Sequence, residues 1–267
     1  MKVQGYVYEA KIQMARLADV LNKKDLAERL RAEAADLRER FHRYFWLPEL
    51  TTYALALDGD KQPCRVRASN AGQCLFTGIV PKEHADPIIS LLTDPIFFSG
   101  WGIRTIAEGE VRYNPMSYHN GCIWPHDNAL IAAGMSKYGR KDAAMQVLTG
   151  LFDASLFVDF RLPELFCGFS RRKGEGPTLY PVACIPQAWA AGSVFLLLQA
   201  CLGIKIDTRN QALYFDNPVL PPFLKQLKII NLTVGNAAID AELQRHANDV
   251  TINVVKRYGH VDVWIKK

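Results

Sequence analysis

Two runs of apolar residues near the start of the chain limit its fold more than anything that follows. They recur at Tyr6, Ala10, Met14, Leu17 and Leu21, then at Leu26, Leu30, Ala34, Leu37 and Phe41. Steps of three and four residues place each set on one helical face. Only Asn22-Lys23-Lys24 separates the runs, and a joint that short turns the second helix back along the first as an antiparallel pair. The same spacing predicts further helices over about 71–79, 82–93, 125–138, 140–157 and 186–202. Pro125 suits the first turn of its helix, and Gly139 suits the left-handed position after the last. Segment 186–202 begins at Pro186 and is apolar nearly all round, as in a helix buried on most sides.

After Gly203 the pattern changes. Residues 213–215, 227–232, 250–255 and 261–265 read as strands, several of them alternating, with Pro221-Pro222, Gly235-Asn236 and Tyr258-Gly259 between them. The residues therefore predict a mainly α chain: a helical body over 1–204 and a small antiparallel β appendage over 205–267.

Composition removes several function classes. The 32 basic and 27 acidic residues leave a net charge of +5, and the basic ones are scattered, with Arg171-Arg172-Lys173 the nearest thing to a cluster. A nucleic-acid partner needs a basic face or stripe, so none is expected. Lys2, Glu9, Lys11 and Arg16 interrupt any leader-like apolar run at the start, and AWAAGSVFLLLQACLG is shorter than a membrane span requires. No membrane partner is expected. The six cysteines, Cys64, Cys74, Cys122, Cys167, Cys184 and Cys201, show no metal-ligand spacing. Reduced thiols in a cytoplasmic protein are the expectation.

The stretch YNPMSYHNGCIWPHDN at 113–128 is the richest in chemistry. A loop needs only turn residues such as Asn114-Pro115 and Asn120-Gly121, yet this one adds tyrosines, histidines, a tryptophan and an aspartate, whose ordering costs entropy. Gln4-Gly5-Tyr6, SGWGIRTIAEGE at 99–110 and RLPELFCGFSRR at 161–172 are similar patches. Aromatic faces beside carboxylates, amides and guanidinium groups suit a sugar, with its apolar C–H faces and hydroxyl rim. Glu164 stands out because it follows Pro163 and lies among Leu162, Leu165, Phe166 and Phe169. A carboxylate on such a loop is either an acid or base or the partner of Arg161, Arg171 or Arg172. His119 and His126 with Asp127 lack a strong metal signature, and structural hydrogen bonding accounts for them as well. Asp127 also suits the dipole at a helix start, and Trp101 and Trp124 suit a core as readily as a sugar platform.

The phrases VQGYVYEA, SGWGIRT, YNPMSYHNGCIWPHDNALIA, LPELFCGF and YPVACIPQAWAAGS together resemble the C-terminal catalytic region of bacterial glycogen-debranching-enzyme-like proteins, the amylo-alpha-1,6-glucosidase family. The resemblance covers nearly the whole chain. It implies a six-hairpin (α/α) toroid of alternating inner and outer helices. It also implies inverting hydrolysis of α-glucosidic linkages in glycogen or related oligosaccharides by two carboxyl groups, with no cofactor. Carried onto this sequence, Glu164 takes the general-base position. Gln4, Tyr6, Trp101, Arg104, Tyr118, His119, Trp124, His126 and Asp127 fall in segments that line the sugar pocket.

In full-length relatives the general-acid segment precedes the phrase resembling VQGYVYEA, so the acid is expected to be missing from this chain. Seven helices fall short of a closed ring of twelve, which takes on the order of 350 residues. A partial toroid is therefore expected, its open edge covered by a second copy or an N-terminal partner chain. The alternative is a non-catalytic carbohydrate-binding or assembly module completed in the same way.

Overall fold

The computed structural model describes residues 1–247 and 249–267. Seven α-helices lie among the described residues: α1 Lys2–Val20, α2 Lys24–Phe45, α3 Asn70–Thr77, α4 Lys82–Thr93, α5 Pro125–Lys137, α6 Lys141–Ser155 and α7 Ala188–Leu202. Each expected helix is present. Pro125 does open α5, and Gly139 follows it in the left-handed region at φ 87°. The largest shift is at the start of α1, which begins at Lys2 rather than near Tyr6.

The helices pack in two layers. α1 lies against α3, α3 against α5 and α5 against α7, so alternate helices are neighbours, while α2, α4 and α6 back onto α1, α3 and α5. The first layer needs apolar surface on more than one side. α5 supplies it, burying Ala129, Ile131, Ala132 and Met135 in a core shared with Cys74 and Leu75 of α3 and Leu197 and Cys201 of α7. α2 carries charge on its outer face and buries only Ala27, Ala34 and Phe41.

α7 corrects one expectation. It is not buried on most sides: Trp189, Val194 and Phe195 are exposed. Its apolar character all round reflects its place at one end of the helix layer, where one flank meets α5 and α6 and the other leaves Val194 and Phe195 exposed. Val3, Val7, Met14 and Leu17 of α1, at the other end, are exposed too.

A short pair, β1 Trp46–Leu47 and β2 Thr52–Tyr53, closes the turn after α2. The remaining strands are β3 Ile204–Asp207, β4 Ala212–Asp216, β5 Gln226–Val234, β6 Ala237–Arg245, β7 Val250–Tyr258 and β8 Asp262–Lys266. They form two three-stranded sheets, ordered β3-β4-β8 and β5-β6-β7. The second is antiparallel throughout, but β4 pairs with β8 in parallel. The expected all-antiparallel appendage is thus a mixed one, because β8 returns only after the whole β5-β6-β7 meander. Leu213 and Phe215 from one sheet and Ile239, Ala241 and Leu243 from the other share a single core. That core takes in Leu202 at the end of α7, and Phe223 stacks on Phe152 of α6 with centroids 4.1 Å apart. No described helix is long and apolar enough to cross a membrane.

Candidate functional site

Three of the four chemistry-rich patches, those at 99–110, 113–128 and 161–172, are laid side by side by a ladder of single antiparallel bridges, while Gln4-Gly5-Tyr6 lies on α1. Arg104 pairs with Ile123, Ile123 with Phe166 and Phe166 with Leu179. Ile123 and Phe166 exchange both backbone bonds, at 2.9 and 3.0 Å. Gly168 allows the close approach, since a β-carbon there would overlap the Gly121 carbonyl. Asn128, fully buried in α5, fixes this ladder to the helix. Its Oδ1 accepts from the Ile103 N–H at 2.7 Å, and its Nδ2 donates to the carbonyls of Ile103 and Trp124, both at 3.0 Å.

Glu164 lies two residues before Phe166, and the register brings it to the loop over 113–124. The Tyr118 hydroxyl donates to Glu164 Oε1 at 2.6 Å. This bond to a carboxylate pushes the Tyr118 phenol up to about 12, so its proton stays in place at neutral pH. No arginine or lysine forms an ion pair with Glu164 among the described residues. Arg171 pairs instead with Asp153 at 2.5 Å and Arg172 with Glu175 at 3.7 Å. The ring of Tyr118 is held edge-on by Trp124 at 4.7 Å and by Tyr180 at 5.4 Å, and Trp124 Nε1 donates to the Tyr118 carbonyl at 3.1 Å.

On the far side of Trp124 opens a cleft of about 390 Å³. It lies where alternate helices begin: Lys2 and Tyr6 of α1, Asn70 and Gln73 of α3, His126 and Asp127 of α5, and Trp189 of α7 all line it. Four helix starts, the positive ends of their dipoles, therefore gather at this cleft. Two rings form a platform, His126 lying parallel to Trp189 at 5.1 Å. Asp127 accepts from Ser69 Oγ at 2.7 Å and from Gln73 Nε2, while Gln73 Oε1 accepts from the Tyr6 hydroxyl. Burial, and then the charge of Asp127, raises the Tyr6 phenol above its ordinary value.

Of the residues expected around a sugar, Tyr6, His119, Trp124, His126 and Asp127 line this cleft. Tyr118 and Glu164 stand behind Trp124, so the carboxylate flanks the cleft rather than lining it. Gln4 is partly buried on α1 and does not line the cleft. Trp101 and Arg104 depart from the expectation: they are 2% and 0% exposed and lie beneath the ladder. Arg104 donates to the carbonyls of Gly168 and Pro95, at 2.6 and 2.8 Å, and to Ser170 Oγ at 2.8 Å. Trp101 carries the Arg171 guanidinium on its face at 4.5 Å. Neither lines the cleft: three of Arg104's five donors are taken by these acceptors, its Nη2 lies 3.6 Å from Glu108, and the Trp101 face is covered by Arg171.

Sequence reasoning passed over Ser69, Gln73 and Trp189. Gln73 had a signal: a lone amide among Ala71, Cys74 and Leu75 on a buried helix needs a partner. Trp189 was hidden in an apolar run and is revealed only by its place in the first turn of α7.

Several solved structures share the fold. Neutral trehalase Nth1 from Saccharomyces cerevisiae matches with a TM-score of 0.58 at 16% identity, over 74% of this chain and 37% of that one. The GH63 mannosylglycerate hydrolase from Thermus thermophilus, solved with Tris, matches at 0.57 and 18%, over 73% and 44%. The GH78 rhamnosidase of Bacillus sp. GL1 matches at 0.68 and 15%, over 97% and 25%. The chain thus spans less than half the length of each of these relatives. No curated protein is similar to it in sequence. At these identities the likeness establishes the fold alone, a mainly helical one. Residues 1–156, more than half the chain, match the model of the mannosylglycerate hydrolase MGH1-like glycoside hydrolase domain, and the chain belongs to that family.

Proposed function

We propose that the chain carries the base side of a glycosidase centre that hydrolyses an α-glycosidic bond with inversion, with Glu164 as the general base. One observation supports this above all: a carboxylate with no cation against it, one oxygen fixed by Tyr118 at 2.6 Å, beside an aromatic and imidazole wall. Such a group takes a proton from water as the water attacks the anomeric carbon. Inversion needs a second carboxyl about 6.5–9.5 Å away to protonate the leaving oxygen. Asp127, the carboxylate that lines the cleft, already accepts from Ser69 and Gln73 and is suited to holding a sugar hydroxyl. The acid would then come from a further segment or chain.

The rings of Trp124, His126 and Trp189 offer faces for a glycosyl unit. Lys2 and the positive ends of four helix dipoles stand at the rim opposite the single charge of Asp127, and would favour a leaving group bearing a carboxylate. That chemistry fits a substrate of the mannosylglycerate kind, the compound in the relatives' names, better than the neutral α-1,6-linked glucans of amylo-alpha-1,6-glucosidases. Sugar release from mannosylglycerate, isomaltose, panose and limit dextrin distinguishes the two. Glu164→Gln should lower any turnover by about 10²–10⁴-fold. Turnover indifferent to that change would sink the assignment of the base. Robust turnover by the chain alone that vanishes in Glu164→Gln would instead make Asp127 the acid.

The exposed apolar residues of α1 and α7 support a second reading, a sugar-binding or assembly module completed by another chain or copy. Sedimentation as a clean monomer that hydrolyses glycosides would remove it.

A further inference from the structure

The ladder beneath the cleft contains a pair of thiols that no role in sugar hydrolysis uses. Ile123 and Phe166 exchange two backbone bonds, so the next rung of this antiparallel pair is a non-hydrogen-bonded one, where opposed α-carbons lie about 4.5 Å apart. That rung is Cys122 opposite Cys167. The backbone agrees: the Cys122 carbonyl accepts from Thr105 and the Cys167 N–H donates to Thr178, each turned away from the other strand. In the reduced protein each thiol is turned to a carbonyl, Cys122 Sγ donating to Pro115 at 3.5 Å and Cys167 Sγ to Leu179 at 3.7 Å, so neither is committed to a charged partner. An α-carbon separation of about 4.5 Å falls inside the range that a disulfide spans. The other four cysteines have no such opposed partner on this ladder, and Cys184 is the exposed one.

We propose that Cys122 and Cys167 form a cross-strand disulfide on reaction with a small disulfide such as oxidised glutathione. This fastens the loop that carries Tyr118 and Trp124 to the strand that carries Glu164. One cysteine sulfur attacks a glutathione sulfur, breaking the reagent's S–S bond and releasing one glutathione thiol. The second cysteine sulfur then displaces the other glutathione and closes the protein disulfide. Two electrons and both thiol protons pass from the protein to the two glutathione molecules, so the exchange balances. The link forms whichever glycoside the cleft accepts.

Burial sets the rate. Both sulfurs are enclosed, and desolvation pushes the Cys122 thiol up to about 12 and raises the Cys167 thiol as well. Thiolate is scarce until the strands part, so exchange is slow in the native protein and faster in mild urea or during refolding.

The experiment is to hold the full chain with oxidised glutathione, in buffer and in mild urea, and to map its peptides without reduction. A linked peptide containing Cys122 and Cys167, faster formation in urea, and a melting temperature that rises on oxidation and reverts with reductant are the expected results. Cys184→Ser should leave the link intact, and Cys122→Ala should abolish it. Glutathione carried by Cys184 alone, with Cys122 and Cys167 still free after oxidative refolding of the unmutated chain, would overturn the proposal. So would a link that lowers the melting temperature.

Discussion

The hydrogen bond between Tyr118 and Glu164 is the site's most consequential single contact. It uses a phenol whose proton is held firmly and a carboxylate whose other oxygen accepts from no side-chain donor among the described residues. A hydrogen bond to a charged group contributes about 1.5–3 kcal/mol, so Tyr118→Phe should cost roughly ten- to a hundredfold in kcat if the bond orients the base during reaction. Steady-state kinetics beside a fluorescence melt separates this from unfolding; a kcat equal to that of the unmutated protein would show that the bond is ornamental. Arg104 bears on stability instead. Arg104→Met leaves the Pro95 carbonyl without a donor and the Gly168 carbonyl with only the Tyr113 hydroxyl at 3.3 Å, at about 1–3 kcal/mol for an unsatisfied buried group. Urea unfolding should show the loss, and Arg104→Lys should recover only part of it because the planar fork is gone. Glu164 could be singled out in the sequence because Pro163 and its apolar neighbours mark a fixed backbone. The burial of Arg104 away from the cleft was not legible, since a buried guanidinium and a ligand-binding one demand the same chemistry and differ only in where the chain places them.

At the scale of elements, the start of α5 shows how a helix can anchor a site. Trp124, His126 and Asp127 face the cleft while Asn128 turns inward to the ladder, a division that the helical period dictates. The same segment was readable in advance because Pro125 and Gly139 bracket it. β6 was not, because AAIDAELQR is rich in helix-forming residues and becomes a strand only by pairing on both sides with β5 and β7. The contact of α2 with the start of α4 carries a pH dependence. His42 stacks on His84 with centroids 4.4 Å apart, and Trp46 packs at 4.3 Å from His84. Burial first, and then the neighbouring His84 and Arg38, lower His42 below its usual 6.5, with Glu83 opposing. The unfolded chain therefore binds a proton there more readily than the folded one. The stabilising contribution of neutral His42 is complete above 6.5 and lost as pH falls through the depressed folded value. Melting temperatures taken from neutral to mildly acidic pH should fall less steeply in His42→Gln than in the unmutated chain; parallel slopes would assign the acid sensitivity to other groups.

For the whole molecule, the decisive fact is that helices α1, α3, α5 and α7 run the same way and begin at the same cleft. Alternation of inner and outer helices produces this, because each return through an outer helix restores the direction of the next inner one. The arrangement was legible from helix spacing and short joints, but where the row ends was not, since an edge helix and a central one share the same apolar periodicity. Its two ends are uncovered: Val3 and Leu17 of α1 are 66% and 55% exposed, and Phe195 of α7 is 76% exposed. Apolar surface of this kind, contiguous along a helix, favours association. The isolated chain should accordingly bind a hydrophobe-sensing dye in its native state and sediment faster as its concentration rises. Leu17→Ser with Phe195→Ser should suppress both effects. Because neither side chain is buried in the monomer, the exchange should change stability by no more than about 0.5 kcal/mol each. A doubly substituted chain that still associates would place the contact elsewhere, on the β sheets or the outer helices, and would remove the reason to regard the ends of the helix row as surfaces awaiting a partner.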